Sequence, residues 1–221
     1  MKTLWRLLAA IFVAVATDAT APATAAETVI PLPAASTRLA IRAARMIDGR
    51  SERLHGDAVV IVEGERIVAV GGNELLTPGL ETLDLGDATL MPGLIDAHSH
   101  PLITVDDYQT DHLKHSSAYK ALRGLKAVQD NLRAGWTTLR IAGDADVAYA
   151  VTDLRKAIDG GLFLGPRLSG AAHYLSTTGG GGDINFLAPE VHVAADGRIA
   201  DGVDEVRKAV REEIKYGSDW V

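Results

Sequence analysis

From Leu94 onward the apolar residues of this chain change period repeatedly, and that alternation limits the available folds more than any other feature. LIDAHSH (94–100) is a short apolar strand, and residues 118–134 follow as a helix. Its apolar face is Ala118, Leu122, Leu125, Val128 and Leu132, with Gly135 as its stop. WTTLRIA (136–142) is the next strand; residues 147–158 form a second helix, which Gly160-Gly161 ends where a left-handed residue is needed. Residues 166–172 are a third strand. Residues 201–216 are a third helix, with Asp201 as N-cap and Val203, Val206, Val210 and Ile214 facing inward, before Gly217 turns the chain into a fourth strand, SDWV. This series is that of a parallel βα fold, and the periodicity leaves a barrel and a doubly wound sheet both open. No G-x-G-x-x-G follows the first of these strands, so a dinucleotide fold has little support.

Residues 38–93 carry different signals. LAIRAARMIDG, DAVVIVEGERIVAVG with a turn at Glu63-Gly64-Glu65, and ETLDLGDATLMPG are short β-rich runs divided by Gly, Asp and Pro. They predict a small antiparallel, β-sandwich-like unit, in which His55 is a surface loop residue. Before it, Lys2 and Arg6 precede the apolar run LLAAIFVAVA (7–16), and Ala23-Thr24-Ala25 supplies small residues for signal peptidase. The order predicts a cleaved signal peptide over 1–26; its apolar run is too short for a membrane-spanning helix. Residues 27–37 are a flexible lead rich in Ala, Thr and Pro.

Absence of cysteine excludes disulfides and thiolate metal sites, and suits a soluble exported, periplasmic or secreted protein. The net charge of −7 offers no basic face for nucleic acid.

The motif with most chemistry in it is PGLIDAHSHP. Residues i and i+2 of a strand share a side, so His98 and His100 project together while Ser99 points away. Two imidazoles so placed can each offer a nitrogen to one metal ion, and Pro101 helps to end the strand behind them. Two histidines do not complete a centre, since catalytic zinc usually has three protein ligands.

GDATLMPGLIDAHSHP, placed after a small β unit and opening a βα series, resembles the start of the barrel in the amidohydrolase superfamily. NLRAGWTTLR, GLFLGPRLSGAAHYLSTTGGGGD and DGVDEVRKAVREEIKYGSDWV look like the second, third and approach to the fourth strand of its imidazolonepropionase-like and prolidase-like (Xaa-Pro dipeptidase-type) branch. The resemblance implies a (β/α)8 TIM-type barrel with its chemistry at the carboxyl ends of the strands. It implies a zinc or other divalent centre, binuclear in the full-length enzyme, with His98 and His100 as ligands to the more buried metal. A carbamylated lysine, two later histidines and an aspartate would complete it. The implied reaction is hydrolysis of a C–N bond in a small substrate such as a dipeptide or N-acyl amino acid, by metal-bound hydroxide. A deaminase or cyclic-amide hydrolase of the same superfamily is mechanistically close.

The chain departs from that pattern where it stops. The bridging lysine is expected one residue after Val221, and a full barrel takes about 250 residues, so residues 94–221 are expected to be its first half and inactive alone. The alternatives are a non-catalytic fragment or metal-binding module, and a split enzyme; the partners expected are a small-molecule or dipeptide substrate, and a homo-oligomer or second-half chain. The third-strand loop reads TTGGGGD where the branch often has a histidine among the glycines, which removes a substrate contact at Gly181.

Among the other histidines, His173 ends the third strand and is a candidate substrate contact. His112 and His115 read as solvated loop residues before the first helix, and His192 has no evident partner. The long loop 173–200 lies at the active-site face on the barrel reading. No G-x-S-x-G surrounds Ser116, Ser117, Ser176 or Thr177, so a serine nucleophile is disfavoured.

Overall fold

The computed structural model describes Ile11–Ala14 and residues 38–221; the rest of the expected signal peptide and the lead lie outside the described residues. The chain divides into two compact units, Met1–Gly93 and Leu94–Val221.

The first unit is one six-stranded sheet of β1 (Ile11–Ala14), β2 (Arg38–Ile47), β3 (Leu54–Glu63), β4 (Arg66–Gly71), β5 (Glu81–Asp84) and β6 (Thr89–Pro92). The β2–β3 and β3–β4 pairs are antiparallel as their turn signals require, and β1 pairs antiparallel with β6. The sheet as a whole is mixed rather than antiparallel. The second edge of β2 is taken by β5 and then β6, which both return parallel to it. Ala58–Val62 is buried at every position because both sheet faces carry apolar residues. Ile41, Ala43, Val60 and Val62 gather on one face, Ala40, Val59 and Ile61 on the other. His55 lies in β3 rather than a loop, half-buried, with Nε2 3.1 Å from the carboxylate of Asp48.

The second unit contains a parallel sheet β7–β8–β9, formed by Leu94–Ser99, Trp136–Ala142 and Arg167–Ala171. Between β7 and β8 lie α1 (Tyr108–Lys114) and α2 (Ser117–Arg133), and α3 (Ala150–Asp159) joins β8 to β9. The loop after β9 carries two short paired strands, β10 (Leu175–Ser176) and β11 (Arg198–Ile199), before α4 (Val203–Tyr216). Leu139 and Ile141 of β8 and Leu168 of β9 point to one side of the sheet, where Val128, Val151 and Leu154 of α2 and α3 cover them. Each Å² of apolar surface withdrawn from water in this layer contributes about 25 cal/mol to stability. The opposite side leaves Ile95 66% exposed.

Several helix details differ from the sequence expectation. Ser116 caps α2 by accepting the Tyr119 N–H, but the buried face runs through Lys120, Gly124, Val128 and Leu132, while Leu122 is exposed. α3 starts three residues later than expected, at Ala150, whose N–H is bound by the Asp146 carboxylate. Asp201 does not cap α4: its carboxylate accepts the N–H and hydroxyl of Thr178, leaving Gly202 at the cap. That helix buries Ala209 and Glu213 instead of the valine stripe, and Val203 and Ile214 are exposed, because Glu213 has polar partners beneath it. SDWV forms no strand; Asp219 still lies against β9, its N–H donating to the Gly170 carbonyl. No helix among the described residues is long and apolar enough to cross a membrane.

Candidate metal site

The register of β7 against β8 shifts between Asp96 and Ser99, yet His98 and His100, the latter just past the strand's end, still turn toward each other while Ser99 between them is buried. Their Nε2 atoms are 3.1 Å apart. The Nδ1 of His100 lies 2.6 Å from the Gly143 carbonyl at the end of β8. A carbonyl can only accept, so His100 carries its proton on Nδ1 and presents a lone pair on Nε2. Without a cation, His98 donates its Nε2 proton across the gap. A divalent cation between the rings would need the His98 proton on Nδ1, so that both Nε2 lone pairs face the ion. The spacing suits this, since two nitrogens each at about 2.0–2.1 Å from one ion stand roughly 3 Å apart at angles near 90–100°. Among the described residues no group of three or more His, Asp or Glu side chains is arranged to hold a metal, so the pair is two ligands and no more.

Behind the pair lies a buried polar cluster that the sequence reading missed. Lys120 is 1% exposed, and its ammonium reaches Asp146 (2.9 Å), the Ala145 carbonyl (3.0 Å) and His112 Nδ1 (3.0 Å), one partner for each proton. His112 is therefore a buried acceptor in α1, not a solvated loop residue, whereas His115 caps that helix 3.3 Å from Asp111. Burial would raise the Asp146 carboxyl, but hydrogen bonds from Ser117, Lys120 and the Ala150 N–H outweigh it and hold it below the usual range. Asp144 is fully buried, and its carboxylate accepts N–H groups of Leu102 (2.9 Å) and Ala145 (3.2 Å). Desolvation, with the Asp146 charge adding to it, pushes Asp144 up to about 7. The available signal was GDAD directly after a strand end, and a lysine at an inward position of a helix.

His173 is 4% exposed and is held by Glu213 of α4. Glu213 accepts from the His173 ring (2.8 Å) and N–H (3.2 Å), from Ser218 (2.7 Å) and from the Tyr149 hydroxyl (3.1 Å). Burial would raise Glu213, but the His173 ring, Ser218 and the His173 N–H pull it below the usual carboxylate range. Burial and the Glu213 charge push Tyr149 up to about 12. The His173 ring lines two cavities of about 380 Å³ each, one of them shared with Arg140, Ala142 and Ala171 of the exposed sheet side. His192 is exposed, and a Cβ at Gly181 would meet open space.

A parallel βα unit with paired imidazoles at the carboxyl end of its first strand defines the class: a mixed α/β protein. The chain belongs to the amidohydrolase family, whose model matches residues 89–221. It is 34% identical to the ochratoxinase of Aspergillus niger over 215 residues, 85% of this chain and 43% of that enzyme. It is 40% identical to the imidazolonepropionase of Fusobacterium nucleatum subsp. nucleatum over 53 residues, 22% of this chain and 13% of that one. A prolidase structure complexed with N-methylphosphonate-L-proline superposes with a TM-score of 0.70 and 31% identity, covering 82% of this chain and 45% of that one. The chain thus spans less than half the length of the ochratoxinase and the prolidase.

Proposed function

We propose that His98 and His100 are the first two ligands of a metal-dependent hydrolase that cleaves a C–N bond in a small substrate, a dipeptide or N-acyl amino acid. The reading rests on one observation: Gly143 engages His100 Nδ1, so that two Nε2 atoms face each other at 3.1 Å at the end of β7. A divalent ion such as zinc held there supplies Lewis acidity toward an amide carbonyl and lowers the pKa of water. The chain's own contribution is to place both imidazoles, to fix the tautomer of His100 through the Gly143 carbonyl, and to stiffen the strand ends around them. The substrate class is supported by the prolidase and ochratoxinase relatives. Three parallel strands with helices on one side fit the opening of a (β/α)8 barrel, which the complete enzyme would close while adding the remaining ligands. The Lys2-Arg6 charge and the apolar run after it favour export.

The test is metal content by mass spectrometry of the purified protein, beside hydrolysis assays with Xaa-Pro dipeptides and N-acyl amino acids. We expect zinc held at up to about one per chain, lost in the His98→Ala/His100→Ala double variant. Metal retained by that variant sinks the site. Stoichiometric metal with no turnover leaves a metal-binding module without catalysis, a reading that the lack of a third ligand among the described residues supports.

A further inference from the structure

The peptide unit between Gly143 and Asp144 is gripped from both sides. Its carbonyl accepts the His100 Nδ1–H at 2.6 Å, and its N–H donates to the Ala172 carbonyl beyond β9 at 2.9 Å. A peptide is planar with C=O and N–H pointing opposite ways, so one rigid plate links the end of β9 to the His100 ring. Gly143 sits at φ +95°, and a Cβ there would collide with the backbone nitrogen of Tyr174. The plate thus lies where other residues cannot follow. The Asp144 carboxylate supplies the third hold, accepting the Leu102 N–H at 2.9 Å, two residues beyond His100. His100 itself is tied forward, its carbonyl accepting the Ile103 N–H at 3.0 Å. Asp144 therefore fastens both the carbonyl that orients His100 and the segment that carries His100.

We propose that Asp144 is a positioning residue for His100: by binding the Leu102 N–H it holds the ring against the Gly143 carbonyl, keeping the proton on Nδ1 and Nε2 open toward the metal. The metal part of this rests on the reading of His98 and His100 given above; the tautomer part does not. Groups that orient ligating imidazoles commonly change metal affinity by about 10- to 100-fold when removed.

The experiment uses the full chain with ¹⁵N-labelled histidine, free of metal, at about pH 8 where imidazoles are neutral. Two-bond ¹H–¹⁵N spectra report which ring nitrogen holds the proton, with His100 assigned by His100→Ala; Co²⁺ titration then gives affinity. In the wild type His100 is a single Nδ1–H tautomer. Asp144→Ala mixes in the Nε2–H form and weakens Co²⁺ binding by about 10- to 100-fold. Asp144→Asn keeps an acceptor for Leu102 and restores both. A purely structural role for Asp144 lowers thermal stability without moving the tautomer. An Asp144→Ala protein with the wild-type tautomer, or an Asp144→Asn protein as disturbed as the alanine variant, overturns the proposal. Should Asp144→Ala fail to fold, Gly143→Ala displaces the same carbonyl, and a wild-type tautomer there overturns it equally. A wild-type chain that takes up no Co²⁺ sinks the metal reading, while the tautomer comparison still decides the positioning role.

Discussion

Asp144 and Glu213 are both shielded completely from water, yet one is pushed up to about 7 and the other is held below the usual range for its type. Burial acts on both in the same direction. The difference lies in what was brought along: Glu213 collects four donors, from His173 twice, Ser218 and Tyr149, whereas Asp144 collects two backbone N–H groups and has Asp146 for a neighbour. Lys120 is close to both aspartates, but its hydrogen bonds go to Asp146, Ala145 and His112. A buried carboxylate's charge thus follows from how its donors weigh against the desolvation it suffers, and Glu213 has the more donors to set against it.

The largest test removes the well-supplied carboxylate. Glu213→Ala strands the His173 ring and N–H, Ser218 and Tyr149 without their acceptor, and should cost about 3–5 kcal/mol by urea denaturation. A loss below about 1 kcal/mol would mean that water takes over the four donors, and the comparison with Asp144 would fail.

Next comes pH. The folded Asp144 keeps its proton to about 7 while the unfolded one loses it near 3.8, so between those values the folded chain binds the extra proton. Stability from this group is complete below about 3.8 and declines as pH rises through 7. Glu213 works oppositely: its contribution is present above 4.5 and lost as pH falls further, so the two windows separate. Asp144→Asn should erase the decline between pH 5 and 7, a difference of a few kcal/mol on the scale of about 1.4 kcal/mol per pKa unit. Parallel stability curves for the two proteins would show that Asp144 ionises at an ordinary pH.

The same contrast explains what could be read from the sequence. Strand periodicity located β8 to the residue and put His98 and His100 on one side of β7, because a two-residue period depends on the backbone alone. Gly135 and Gly217 ended their helices as expected, since left-handed positions select glycine. The valine stripe of α4 failed because amphipathic reasoning ranks Glu213 as a solvent residue, while His173 and Ser218, 40 and 5 residues away, make burial favourable. Lys120 failed for the same reason. Polar residues buried by long-range partners leave no periodic trace, and the mixed pairing of β2 likewise depends on strands distant in sequence.

The smallest perturbation probes the donor count directly. Tyr149→Phe removes one of the four donors to Glu213 and keeps the ring that meets His173 edge to face, at 4.9 Å between centroids. The expected cost is about 1 kcal/mol, the usual net worth of one hydrogen bond. If donor number sets the Glu213 charge, the variant should also begin to lose stability at a higher pH on acid titration, because the folded carboxyl moves back toward its ordinary value. Equal destabilisation with an unmoved acid transition would assign Tyr149 to packing, and leave His173 and Ser218 as the donors that keep Glu213 ionised.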